Sequence, residues 1–167
     1  MKNYQEWYRN ISSRLTSYPT LLFLLRSFNR LMTVAMPMVY LILLATTYLQ
    51  LGLGQQVGVY VLIPASGVVI LSLIRKKINH PRPYETWDIA PLLDKDSSGQ
   101  SMPSRHVFSA TIISMACFHA WTLIGTILLI CSGLLALVRV LGGVHYPKDV
   151  LVGYACALMW GLLFFLF

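Results

Sequence analysis

Acidic side chains are scarce in this chain: six Asp and Glu stand among 167 residues, against thirteen Lys and Arg. Charged residues of both signs together make up 11%. That is less than half of the ~25% usual in soluble domains, and it excludes an ordinary water-facing surface. Cysteine is sparse too. Cys117, Cys131 and Cys156 each fall inside an apolar run without metal-type spacing, which reads as inert buried thiols. The four loop carboxylates Glu85, Asp88, Asp94 and Asp96 match no metal-binding loop and read as solvated. The first fourteen residues lack the apolar core of a signal peptide, so no cleaved leader is expected. With no repeat and no low-complexity tract, residues 1–167 read as one domain.

What is present is apolar: 56% of the chain is hydrophobic. A spanning helix needs roughly 20 apolar residues. Segments 33–53, 55–74, 107–124 and 125–138 fit, the fourth becoming adequate if it starts near Thr122, and 150–167 lies at the edge of the needed length. Pro37 and Pro64 fall inside the first two, which membrane helices tolerate. Residues 1–32 differ. Trp7, Tyr8, Ile11, Leu15, Leu22 and Leu25 interleave there with Arg9, Arg14, Arg26 and Arg30. This predicts an amphipathic segment lying in the interface, broken at Tyr18-Pro19; a sixth spanning helix over 15–32 is the alternative. The expected fold is therefore all-α: an integral-membrane bundle of five helices, six on the alternative, with a polar loop at 76–103. The net charge of +7 then points to anionic or phosphorylated lipid rather than nucleic acid.

Counting crossings sorts the polar residues. One side of the membrane receives residues 1–32, the loop 76–103 and the turn 139–149; the other receives the turns near 48–55 and 119–126 and the C-terminus. All thirteen basic residues and all six acidic ones fall on the first side. Three polar clusters thereby share one face. They are Arg75 to Pro83, Pro103-Ser104-Arg105-His106, and Arg139 to Asp149 with His145 between. Charge at a membrane seam is costly and marks a functional site by default. Guanidinium forks suit phosphate oxygens, and two histidines permit one to attack while the other delivers a proton. A carboxylate beside a histidine fixes its tautomer, and free N–H groups at a helix start favour an anion. Taken alone, Arg139 to Asp149 is equally well read as a helix-end ion pair; the two further clusters favour phosphoryl transfer. His80 reads as a loop histidine, His119 as an interface anchor, and Lys76 and Lys77 as flanking cations.

At these residues the chain resembles the type-2 phosphatidic acid phosphatase family of lipid phosphatases, whose fold is shared with vanadium haloperoxidases. Its motifs are Lys-x6-Arg-Pro, Pro-Ser-Gly-His and Ser-Arg-x5-His-x3-Asp. The third matches at Arg139, His145 and Asp149, with Val138 at the serine position. The second matches at Pro103, Ser104 and His106, with Arg105 for glycine. The first matches at Arg82 and Pro83, with Arg75 at the lysine position and Lys76 one step out of register. The resemblance covers about residues 60–167. It implies a metal-independent hydrolase with no cofactor. His145 would form a phosphohistidine, Asp149 would orient it, and His106 would protonate the leaving oxygen and then activate water. Arg75, Arg82, Arg139 and Ser104 would hold the phosphate, with Lys76 and Arg105 as possible additional contacts.

Implied substrates are undecaprenyl diphosphate, phosphatidylglycerophosphate or phosphatidic acid. A vanadate-dependent haloperoxidase and a non-catalytic anionic-lipid binder are the alternatives. Many bacterial relatives in this family are thought to face outward, whereas the thirteen-to-none split of basic residues predicts a cytoplasmic site in a bacterial cell membrane. The charge bias is taken as the expectation.

Overall fold

The structure, a computed structural model, describes residues 3–95 and 98–167; Asp96 lies outside them. Its elements are α1 (Asn3–Thr16), α2 (Pro19–Leu51), α3 (Gln55–Ile78), the single turn α4 (Pro83–Thr86), α5 (Arg105–Ala120), α6 (Thr122–Leu141) and α7 (Pro147–Gly161), which continues as a 3₁₀ turn over Leu162–Leu166. Among the described residues there is no strand.

Local chemistry sets the breaks. Tyr18 precedes a proline and takes φ −118°, ψ 87°, which ends α1, and Pro19 begins α2 at a position where its missing N–H costs nothing. Gly52, at φ +71°, closes α2. α2 is thus one helix of 33 residues, about 50 Å long at 1.5 Å per residue. This corrects one expectation. The helix that holds the first expected span starts at residue 19 rather than 33, and the break expected at Tyr18-Pro19 divides residues 1–32 between two helices. Only α1 stands apart, and the second half of that stretch runs straight into the span. Arg26 and Arg30 do not interrupt it, because a helix carries guanidiniums on its outer face at no backbone cost. Trp121 marks another shift: α5 stops before it and α6 begins at Thr122, so the third segment ends earlier than residue 124 and the fourth has 20 residues.

By length and composition four stretches can cross a membrane: Pro19–Leu51, Gln55–Thr86, Thr122–Leu141 and Pro147–Leu166. α5 has only 16 residues and is buried on nearly every side, with Ala110 to Cys117 all enclosed. A helix apolar all round belongs at a bundle's centre. α2, α3, α6 and α7 pack against it.

The buried residues of each outer helix form a stripe. On α3 it runs Tyr60, Ile63, Pro64, Gly67, Leu71 and Arg75. The spacing carries Arg75 inward on the core face, while Lys76 and Lys77 turn outward and are exposed. α7 approaches the start of α5 at Gly153, where a Cβ would stand 2.7 Å from the carbonyl oxygen of Ser104. Any larger residue there would push the two helices apart.

Candidate active site

Three loops and helix ends converge at one end of the bundle. The Arg75 guanidinium donates to the Pro103 carbonyl, tying the end of α3 to the loop before α5. The Ser104 amide donates to the Asp149 carbonyl at 2.9 Å, tying that loop to the first turn of α7. Arg82 donates from Nε to the Gly99 carbonyl (3.2 Å) and from a terminal nitrogen to the Val144 carbonyl (3.5 Å). Arg139 donates to Asn29 Oδ1 of α2 at 3.4 Å. Arg75, Arg82, Ser104, Arg139, His145 and Asp149 are all buried. His106 is half-buried, Arg105 is exposed, and His106 and Arg139 share the wall of one cavity of about 780 Å³.

At the centre is a residue that sequence reasoning missed. Ser101 Oγ lies 3.3 Å from His145 Nδ1 and donates its hydrogen to Asp149 Oδ2. Asp149 Oδ2 itself stands 3.6 Å from His145 Nδ1, beyond direct hydrogen-bond range. A serine hydroxyl has one hydrogen, and Asp149 takes it. Ser101 therefore accepts from His145 Nδ1–H. That places the ring proton on Nδ1 and leaves the lone pair on Nε2. His145 Nε2 is buried and has no hydrogen-bond partner; neither has Ser104 Oγ nor Asp149 Oδ1. Orphaned polar atoms inside a protein need an explanation. A phosphate oxygen would accept from Ser104, and an electrophile would meet Nε2.

Electrostatics act the same way. Burial holds the His145 pKa down to about 4, with the positive charges of Arg139 and Arg82 adding to the effect and Asp149 opposing it. At neutral pH the imidazole is uncharged and nucleophilic. The start of α5 adds backbone N–H groups that have no helical partner.

The rest of the loop is scaffold. Glu85 is exposed, as expected, and it also accepts from the amides of Arg82 (2.6 Å) and Gly99 (2.9 Å), which staples the loop. Asp88 pairs with Arg9 of α1 at 3.1 Å. α1 also inserts Tyr8 against the turn before His145. Gly143 there has φ +74°, and a Cβ on it would lie 2.4 Å from the Tyr8 hydroxyl. His80 faces Lys148 at 3.0 Å, outside the cluster. Among the described residues no three His, Cys, Asp or Glu converge at metal-ligand spacing.

A bundle of apolar helices gathers arginines, two histidines and a carboxylate at one end, and comparison with known proteins finds the same architecture elsewhere. The family model of the PAP2 superfamily matches residues 56–167, and the chain belongs to that superfamily. Undecaprenyl-diphosphatase BcrC of Bacillus subtilis (strain 168) is 35% identical over 102 residues, covering 61% of this chain and 52% of BcrC. The chain thus aligns with about half the length of that curated relative. Its fold resembles the crystal structure of Aquifex aeolicus LpxE, with TM-score 0.75, 24% identity, and coverage of 97% and 94% of the two chains. It also resembles the transmembrane PAP2-type phosphatidylglycerolphosphate phosphatase from Bacillus subtilis, with TM-score 0.72, 21% identity, and coverage of 96% and 83%. The all-helical, integral-membrane architecture expected from the sequence is the architecture of this fold.

Proposed function

We propose that this chain is a membrane lipid phosphatase acting through a covalent histidine. The observation that carries the proposal is the Asp149–Ser101–His145 arrangement, with a neutral, unpartnered Nε2 among three buried arginines. His145 Nε2 attacks phosphorus, and the bond to the leaving oxygen breaks. His106 protonates that oxygen, then takes a proton from the water that hydrolyses the phosphohistidine. Arg75, Arg82, Arg139 and the Ser104 hydroxyl bind the phosphoryl oxygens and stabilise charge as it develops. Asp149 acts through Ser101 and holds the imidazole in the attacking tautomer. Lys76 is exposed and Arg105 lies at the cavity rim, so neither is needed for this scheme.

The substrate class is a lipid phosphate, with its tail among the helices and its headgroup at the polar end. Undecaprenyl diphosphate is first among the candidates, since BcrC is named for that activity. Phosphatidylglycerophosphate and phosphatidic acid complete the panel. The whole chain works as one domain, and its basic face lies on the cytoplasmic side, as the distribution of Lys and Arg favours. The test is phosphate release by the full chain from that panel, with and without chelator, together with rapid acid-free quenching to trap phosphohistidine. Turnover in chelator with label on His145 is expected. Binding without turnover would replace the proposal with a lipid-binding role, and loss of activity in chelator would overturn the metal-free scheme.

A further inference from the structure

α2 brings more positive charge to the site than one phosphate needs. A bound phosphate carries at most about two negative charges, and Arg75, Arg82 and Arg139 already offer three positive ones against the one carboxylate of Asp149. Arg26 and Arg30 add two more on the wall of the cavity that holds His106 and Arg139, against the single carboxylate of Asp94. Arg26 is held in place by donation from Nε to the Leu92 carbonyl at 2.9 Å, which leaves its two terminal nitrogens for another acceptor. Asn29, one turn along, accepts from Arg139 and ties this stretch of α2 to the reacting-phosphate site.

A second cavity, of about 140 Å³, runs on from the first: His106 and Thr33 line both. Its other walls carry Arg105 and Ser109 and are otherwise apolar, including Met36, Pro37, Ile113 and Leu135. His106 therefore stands at the joint between a cationic chamber and an apolar channel. In the scheme proposed above, His106 is where the leaving oxygen emerges. The atoms bonded to that oxygen must lie in one of these two spaces. Hydrocarbon fits the channel. A polyprenyl monophosphate would put hydrocarbon directly at the leaving oxygen and give Arg26 and Arg30 no second anion to hold. A diphosphate puts a second phosphate there, before the tail begins.

We propose that Arg26 and Arg30 form a second anion subsite, which binds the leaving phosphate of a lipid diphosphate while the tail follows the α2–α5–α6 channel. The inference rests on the phosphatase reading of His145 and His106. In the reaction His145 takes the terminal phosphoryl group, and the bridging P–O bond breaks. The bridging oxygen keeps the electron pair and receives the His106 proton, so the product is a lipid monophosphate. Its charge grows as that bond breaks, so the subsite acts on kcat as well as KM.

The experiment compares a polyprenyl diphosphate with the polyprenyl monophosphate of the same chain length. The enzyme is the full chain in detergent, wild type and Arg30→Gln, with Arg30→Lys as the charge-preserving variant. Arg30→Gln should lower the diphosphate-to-monophosphate ratio of kcat/KM about tenfold, as expected for one charge-assisted hydrogen bond. Arg30→Lys should recover part of it, and Arg26→Gln added to Arg30→Gln should lower it about a hundredfold. An unchanged ratio, with both substrates losing equally or neither losing, would overturn the subsite and leave the two arginines as interface anchors. A second measurement needs no turnover: binding of a methylene-bridged bisphosphonate lipid and of the monophosphonate with the same tail. The wild type should prefer the bisphosphonate, and Arg30→Gln should not; equal binding by the wild type would overturn the subsite. If neither substrate is hydrolysed, the phosphatase reading fails, and this binding preference judges the subsite on its own.

Discussion

The two ends of the bundle each enclose a histidine, and the two histidines have little else in common. His145 sits among Ser101, Asp149 and the charges of Arg82 and Arg139, fully buried and with Nε2 unpartnered. His119 faces the Tyr60 hydroxyl across 2.8 Å and is surrounded by the rings of Tyr60, Phe164 and Phe165 at 5.2–6.4 Å. No charged residue lies between positions 31 and 74, between 106 and 138, or after 149, so the stretches of chain that meet at His119 carry none. What separates a reactive imidazole from a packing one is the company of charge and an unsatisfied nitrogen. Burial differs as well: His145 is fully enclosed, whereas His119 is half-buried.

The largest expected effect comes from removing the reactive member of the pair. His145→Ala should lower phosphate release to background, on the order of 10⁴-fold or more, because no other group can take the phosphoryl. Retention of even a few per cent of wild-type kcat would remove His145 as nucleophile. Arg139→Gln comes next. It deletes a buried cation that faces the transferring group, and kcat/KM should fall about 10²–10³-fold, as when one preorganised charge donor is lost.

Ser101→Ala is a finer probe of the same end. The serine does not touch substrate; it relays between Asp149 and His145 and fixes the tautomer. Its loss should lower kcat about 10- to 100-fold with KM nearly constant. Ser101→Thr, which keeps the hydroxyl, should recover part of the activity if the extra methyl fits. A fall in KM and kcat together with a lowered Tm would mean that Ser101 only packs.

Acid should separate the two ends as well. The His145 pKa is depressed to about 4 from an ordinary 6.5. Between those values the unfolded chain binds the extra proton and the folded chain does not. The stability from keeping His145 neutral is therefore full above about pH 6.5 and is lost as pH falls toward 4. Thermal unfolding of the wild type should show a Tm that drops across this window, and His145→Gln should flatten part of that drop. An identical slope in the variant would show that other groups dominate.

Much of this polar end was legible in the sequence, for identifiable reasons. Apolar runs of membrane length fix which helix ends share a side, and that alone brought Arg75, Arg82, Ser104, His106 and Arg139 to His145 and Asp149. The Tyr18-Pro19 break was legible because proline acts locally. The start of the first long helix was not. Arg26 and Arg30 dilute its hydropathy without disturbing its hydrogen bonds, so a composition window cuts it at residue 33 while the backbone continues from residue 19. Ser101 was invisible for the opposite reason. It sits in an irregular loop, and it reaches the histidine only because the Ser101 amide bonds back to the His80 carbonyl at 2.8 Å. No spacing rule in one chain records such a return. The amide partners of Glu85 were invisible in the same way, although the residue is exposed as its loop position implies.

The smallest expected effect tests the other half of the comparison. His119→Phe keeps an aromatic ring among Phe164 and Phe165 and removes only the nitrogen that faces Tyr60. Activity should stay within about threefold of wild type, because nothing at that end reaches the phosphate. Stability should fall by about 0.5–1.5 kcal/mol, since Tyr60 is 3% exposed and its hydroxyl would lose its His119 partner while keeping Gln56. Tyr60→Phe added to His119→Phe removes both partners, and replacing both with apolar groups of similar shape should recover most of that loss. Thermal melts of the two single variants and the double variant decide it. Additive losses would mean that the pair is not coupled. A tenfold or larger loss of turnover in His119→Phe would mean that the quiet end of the bundle communicates with the charged one, and that the contrast between the two histidines is one of degree.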